Sequence, residues 1–310
     1  MKDKELFQEL STLVTEQRNQ MSIDIDIMST DEIVRLINNE DKTVAKVVEG
    51  EIAYIVEAIE IVSNAFKKGG RLIYAGAGTS GRMGVLDAAE CPPTFGVNPD
   101  MVQGIIAGGY GALRTAVEGA EDFEDNGKNA IREMKVNSID VVCGIAASRR
   151  TPYVHGVLKE AKLLGAKTII IVCNPRKDVN IDVDVAICPV VGPEVIMGST
   201  RMKSATAQKM ILNILTTTSM IKLGKVYENM MIDLQQNNLK LVERSKKIIM
   251  MATQISYSEA AKYLNDAGGH VKSAILMALT GLSLDKTREM LANYDGFIKK
   301  ALNAWKETSI

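Results

Sequence analysis

Three groups of residues in this chain are of types, and at spacings, that can do chemistry. The first is Gly76-x-Gly78-x-x-Gly81 in "RLIYAGAGTSGRMG" (71–84), straight after an apolar run, with Thr79 and Ser80 inside it. Glycines at such a turn let backbone N–H groups approach a ligand, and the positive end of a following helix favours an anion. The second group is Ser148, Arg149, Arg150 and Thr151 in "DVVCGIAASRRTPYV", again after an apolar run, with Pro152 at a helical first turn. Arginine beside a hydroxyl-rich loop suits phosphate. The third is a set of carboxylates: Glu90 in "AAECPP", Glu118 and Glu121 in "AVEGAED", and Glu194 in "GPEVIMGSTRMK". The chain has only 2 histidines, His155 and His270, so acid–base work falls to carboxylates.

The glycine spacing is that of a dinucleotide-binding turn. That turn also needs an Asp or Glu about 20 residues on, at the tip of the second strand. Here the following strand ends "IIAGGYG" without an acid, and Pro92-Pro93 is expected to stop the helix early. Gly78, Thr79 and Ser80 then read as a cradle for one phosphate monoester, against the plainer reading of a tight strand–helix turn with capping hydroxyls. Two hydroxyl-rich loops at the carboxyl ends of parallel strands define one crevice, which favours the phosphate and adds Ser148, Arg150 and Thr151 to its ligands. The acidic stretch "AVEGAEDFEDNG" also reads as solvated surface, with Glu118 a competitor of Glu121 for any role in catalysis. Glu90, among Ala, Cys and Pro, is expected to be desolvated with its pKa raised.

These residues need elements to position them. A capping box, Ser29-x-x-Glu32, opens a helix. Apolar residues from Val44 to Phe66, mostly three to four apart, predict one long amphipathic helix. Short β-branched runs follow, at Leu72–Ala75, Met101–Ala107, Val141–Ala146, Thr168–Cys173 and Val185–Val190. They alternate with helices near 80–90, 111–119, 125–134, 152–164 and 200–223. Near-continuous apolar strands separated by helices predict an α/β fold, a parallel sheet covered on both faces. A break around 228–245 leads into a helical remainder, with a second capping box, Ser256-x-x-Glu259, and a Gly268-Gly269 stop. The expected organisation is an N-terminal helical segment (1–56, with 1–22 polar), a ligand-binding α/β domain (57–235) and a small domain of about three helices (246–310).

Bulk properties exclude several classes. A net charge of −1 gives no reason to expect nucleic acid or an anionic membrane as partner. No stretch approaches the roughly 20 apolar residues of a membrane span, and the charged start "MKDKELFQEL" carries no signal-peptide core. The 4 cysteines (Cys91, Cys143, Cys173 and Cys188) are scattered, without metal-binding spacing, and read as reduced thiols of a cytoplasmic protein. No metal is expected.

Long segments resemble a known family. "TEQRN" (15–19), "NNEDKTV" (38–44), "GRLIYAGAGTSGRMGVLDAAECPPTFGV" (70–97), "IIAGG" (105–109), "AVEGAED" (116–122), "GIAAS" and "RTPYV" around the second loop, "GPEVIMGSTRMKSATAQKMILN" (192–213) and "DGFIKKAL" (295–302) are similar to the sugar isomerase (SIS) domain proteins, and within them to the N-acetylmuramic acid 6-phosphate etherases. The resemblance runs almost end to end. It implies a flavodoxin-like fold, a homodimer, no cofactor, and a phosphosugar whose C3 lactyl ether is cleaved, releasing D-lactate and N-acetylglucosamine 6-phosphate. By resemblance, Glu90 protonates the departing lactate and Glu121 is the second acid–base residue. Glu194 and Ser199 are expected to reach the sugar; the alternative is a capped helix with Glu194 in a surface turn. His270 and Lys272 either lean into a partner subunit's site or form an ordinary interhelix turn. A phosphosugar-binding regulator and a phosphosugar isomerase remain as alternatives. Two departures stand out: Arg149 where the family usually has glycine, and Ser204-Ala205 where Ala-Gly is common. A glycine at 149 would supply positive φ or room, so Arg149 is expected to take an uncommon backbone conformation or shift the loop.

Overall fold

The computed structural model describes residues 12–233 and 239–308. The first eleven residues of the expected polar N-terminal segment, and 234–238 within the expected break, lie outside the described residues. The chain divides into two compact units. The first comprises the described residues up to Ala89 together with Asp100–Thr216, and the second comprises Glu90–Pro99 and the chain from Thr217 onward.

The first unit is built on five parallel strands, β1 (Leu72–Gly76), β2 (Val102–Ile106), β3 (Val141–Ala146), β4 (Lys167–Val172) and β5 (Val185–Ile187), in the order β2-β1-β3-β4-β5. This is the flavodoxin-like doubly wound order. Its reversal of strand sequence between β1 and β3 opens a crevice at their carboxyl ends. Because both faces are covered, every residue of β1 and β3 is buried, which is why these strands read as unbroken apolar runs. On one face Ile73, Ala75, Val142 and Ile170 pack with Val154 and Leu158 of the helix Pro152–Leu163. On the other, the Tyr74 hydroxyl donates to Asp87 at 3.0 Å, and Asp87 also accepts from Asn213 and Thr216. That buried carboxylate ties β1 to the helices Gly78–Phe95 (α4) and Lys203–Lys222 (α7).

Three expectations are corrected. The helix predicted over 44–66 is two, α2 (Val44–Glu49) and α3 (Ile52–Lys67), after α1 (Thr30–Asp41) with its capping box. They part at Glu51, whose carboxylate accepts from the Cys188 N–H at 2.7 Å and from Arg176. The tertiary anchor overrides the periodicity. Pro92 and Pro93 do not stop α4 early, because it continues through them to Phe95. Proline's fixed φ is compatible with a helix, although each ring also removes an amide donor and crowds the carbonyl four residues before it. Gly96 then leaves the helix at φ +62, where a Cβ would lie 1.9 Å from the Asp233 carbonyl oxygen. Residues 111–119 are not an α-helix but a single 3-10 turn, Tyr110–Leu113, followed by irregular chain. Between β2 and β3 lies the helix α5 (Glu124–Glu133), and α6 is Pro152–Leu163.

Among its described residues the second unit holds a short hairpin, Val226–Tyr227 with Met230–Met231, and, after the hairpin, five helices rather than about three: α8 (Leu239–Thr253), α9 (Tyr257–Asp266), α10 (Val271–Thr280), α11 (Leu284–Asn293) and α12 (Ile298–Thr308). Ser256 and Ser283 cap α9 and α11, and Gly268 and Gly269 turn the chain at positive φ. The core of these helices includes Ile249, Leu264, Ile275 and Ala301. Lys272 is buried and pairs with Asp233 at 2.7 Å, and His270 Nδ1 meets Ser273 Oγ at 2.7 Å. All four cysteines are buried, and burial pushes the Cys188 thiol up to about 11. No helix among the described residues is long and apolar enough to cross a membrane.

Candidate functional site

The glycine loop connects β1 to α4, and its three glycines do different work. A Cβ on Gly76 would lie 2.8 Å from the Gly81 nitrogen, and one on Gly81 would lie 2.6 Å from Ile106 Cγ1 and 2.8 Å from the Gly76 carbonyl oxygen. These two let the helix start sit directly on the strand end. Gly78 instead has φ +52 and open space where a side chain would be, so its backbone faces the crevice bare. Thr79 is half-buried and Ser80 buried in the first turn of α4.

The second loop leaves β3 and enters α6 through Thr151 and Pro152 at the first turn. His155 Nε2 lies 2.8 Å from the Arg149 carbonyl oxygen, bracing the turn. Arg149 has no positive φ, so the expected strain is absent. Its guanidinium donates to the Asp178 carbonyl at 3.0 Å and reaches Thr12 Oγ1 at 3.4 Å, so the side chain stitches neighbouring segments to the loop.

Glu121 joins the two loops. It lines a cavity of about 140 Å³ with Gly78, Arg82 and Glu118. It also lines a second cavity, of about 290 Å³, with Ser148, Arg150, Thr151, Leu13 and Glu16. Part of its surface is open to solvent. Even so, the protein packed about its carboxyl desolvates it, and Asp122 and Glu118 add negative charge; all three raise its pKa, desolvation most. A carboxyl so placed takes up a proton more readily than an ordinary glutamate.

Other expected residues stand elsewhere. Glu90 belongs to the second unit and is exposed, so the burial expected of it is not found. Glu194 is fully buried, and one carboxylate oxygen accepts the Lys203 N–H at 3.0 Å while the other accepts the Ser204 N–H and hydroxyl, both at 2.9 Å. It caps α7 from the interior rather than from a surface turn, and both its oxygens are engaged by the helix. Ser199 is half-buried in the turn before that helix.

Three residues that line these cavities, Arg82, Leu13 and Glu16, go beyond those singled out in the sequence. Arg82 donates to the Ala112 carbonyl at 2.7 Å and the Leu113 carbonyl at 3.2 Å, binding α4 to the chain that carries Glu121. Its place one helical turn after Gly78 was the available signal. Leu13 and Glu16 come from an N-terminal strap held along the strand ends by Val14 N–H to Asn174 at 3.2 Å and by Ser22 to the Val195 carbonyl at 2.7 Å. Asn19 and Lys203 both bond Glu40, at 2.8 and 2.5 Å, which brings three of the family-like segments together.

The chain is similar to known proteins over most of its length. Residues 54–162 match the family model described as glucokinase regulatory protein N-terminal SIS domain. A curated N-acetylmuramic acid 6-phosphate etherase of Salinibacter ruber is 52% identical over 96% of this chain and 96% of its own. One from Clostridioides difficile is 52% identical over 96% of this chain and 98% of its own. Among solved structures, a phosphoheptose isomerase of Neisseria gonorrhoeae aligns with a TM-score of 0.48 at 16% identity, over 62% of this chain and 99% of that one. Identity of this extent over nearly the whole length means that the chain belongs to the N-acetylmuramic acid 6-phosphate etherase family.

Proposed function

We propose that this protein cleaves the C3 lactyl ether of N-acetylmuramic acid 6-phosphate, giving D-lactate and N-acetylglucosamine 6-phosphate. The observation that carries the reading is Glu121, shared by the cavities of both strand-end loops. An ether resists direct displacement, but in the open-chain sugar the C1 aldehyde acidifies the C2 proton. Glu121 takes that proton, and the electron pair forms the C2–C3 double bond as the C3–O bond breaks. A second acid, Glu90 by family resemblance, protonates the departing lactate oxygen. Water then adds its oxygen to C3 and a proton to C2, so the two steps sum to hydrolysis and make the enzyme a carbon–oxygen lyase in mechanism. Gly78, Thr79 and Ser80, with Ser148, Arg150 and Thr151, bind the phosphosugar, and the Ser148–Thr151 loop takes the phosphate. Glu194 serves by holding the start of α7, with Ser199 in the turn that leads to it. By the same resemblance the enzyme works as a homodimer in the cytoplasm, on amino sugar recovered from cell wall.

The test is turnover in ¹⁸O-labelled water. Release of D-lactate with label at C3 of the product, and solvent deuterium at C2, supports elimination and hydration. Label in lactate instead means attack on the lactyl carbon. Binding without lactate release identifies a phosphosugar-binding regulator, and conversion to a ketose phosphate identifies an isomerase.

A further inference from the structure

The substrate of the proposed reaction carries two anions, a phosphate and the carboxylate of the lactyl arm, so a second cationic subsite is required. This argument rests on the etherase reading. The lactyl carboxylate is separated from C3 by the ether oxygen and one carbon. Any base that reaches the C2 proton therefore has this carboxylate within a few ångströms. Beside Glu121 stand Glu118 and Asp122, which would oppose it. The cavity shared by Gly78, Glu118 and Glu121 holds one basic side chain among its lining residues, Arg82. Its Nε and Nη2 donate to the Leu113 and Ala112 carbonyls, which fixes the guanidinium plane and leaves Nη1 out of both bonds. The rest of that wall includes Ala77, Ala107, Ala112 and Ala116. One guanidinium edge and a wall of methyl groups match a carboxylate and a methyl on the same carbon, which is what a lactyl group is. The cavity's volume of about 140 Å³ suits such an arm and is small for a whole sugar phosphate.

We infer that Arg82 and the alanine wall form the lactyl subsite, with Arg82 Nη1 holding the carboxylate. Arg82 is then the residue that distinguishes the ether-bearing phosphosugar from the same sugar without its arm. It also steadies the negative charge that grows on the leaving lactate as the C3–O bond breaks.

The test is a chemical double-mutant cycle on the full chain. The wild type, Arg82→Met and Arg82→Lys are assayed with N-acetylmuramic acid 6-phosphate and with its lactyl methyl ester, and N-acetylglucosamine 6-phosphate serves as competitive inhibitor. In the wild type, esterification lowers kcat/KM roughly 10- to 100-fold, the worth of a charge-assisted hydrogen bond. In Arg82→Met, acid and ester are turned over alike, within about threefold, and inhibition by N-acetylglucosamine 6-phosphate is as strong as in the wild type. Arg82→Lys keeps part of the discrimination, and it decides the matter should the methionine variant not fold. The inference is overturned if the wild type treats acid and ester equally, if both variants discriminate as the wild type does, or if inhibition by the armless sugar weakens as much as turnover. Failure of the etherase reading shows separately, as a wild type that binds N-acetylglucosamine 6-phosphate but releases no lactate from either compound.

Discussion

The backbone N–H of Tyr153 donates to the carbonyl of Glu121 at 2.9 Å. The first turn of α6, which follows the second loop, is therefore bonded to the irregular chain that carries the candidate base. Glu121 is held at the junction by its backbone while its carboxyl remains in the cavities, where desolvation and the charges of Asp122 and Glu118 raise its pKa. A base acts when deprotonated, so a raised pKa moves the acidic limb of kcat/KM towards neutral pH. Replacing Glu118 by Gln removes a negative neighbour, lowers the Glu121 pKa and moves that limb to lower pH with kcat at the plateau largely kept. Glu121→Gln loses the limb and lowers turnover by about 10²–10⁴-fold. Rate profiles from pH 4 to 9 measure both. Full turnover in Glu121→Gln with loss in Glu118→Gln reverses the assignment.

The sheet was legible in the sequence because β1, β3 and, beyond its exposed first residue Lys167, β4 are buried on both faces and are therefore nearly all apolar, with Thr168 among the exceptions. The two loops were legible because glycine spacing and a Ser–Thr–Pro turn are local signals. The environment of Glu121 was not, since Leu13 and Ser148 reach it from over a hundred and from twenty-seven residues away. Glu194 misled for the same reason. Its burial is decided by where α7 packs, and a carboxylate that satisfies two amides inside the protein looks, in sequence, like one that waits for a ligand.

The Ser204 hydroxyl gives Glu194 a third donor at 2.9 Å. Ser204→Ala keeps both amide bonds and is expected to cost about 0.5–1.5 kcal/mol, the net worth of one hydrogen bond. Glu194→Ala leaves the Lys203 and Ser204 amides unpaired in the interior and costs more, about 2–4 kcal/mol. Urea unfolding of both variants checks the order. Equal costs would mean that the carboxylate does not serve as the cap.

Arg149, where the resemblance implies glycine, has no positive φ, and its side chain bonds the Asp178 carbonyl. Arg149→Gly is therefore expected to lower stability by about 1–2 kcal/mol, from one hydrogen bond and a more flexible unfolded chain. Because the backbone is already relaxed, KM for the phosphosugar stays within about twofold. A KM raised tenfold with unchanged stability would place the Arg149 guanidinium on the phosphate instead.

The division of labour among the glycines separates packing from ligand approach. Gly81→Ala puts a methyl 2.6 Å from Ile106 Cγ1 and 2.8 Å from the backbone oxygen of Gly76, which cannot yield without lifting α4 from β1. Overpacking of this kind costs about 1–3 kcal/mol, and the lifted helix start should lose phosphosugar binding together with stability. Gly78→Ala meets nothing within 4 Å and is opposed only by its φ of +52, a cost of about 1–2 kcal/mol. Its methyl would project into the cavity that Gly78 lines with Glu121, so binding should weaken by more than the stability change accounts for. Thermal melts paired with the KM for N-acetylmuramic acid 6-phosphate, whose lactyl arm enters that cavity, distinguish the two. If Gly78→Ala binds as the wild type does, the bare backbone at 78 is a turn requirement alone and the ligand lies elsewhere in the crevice.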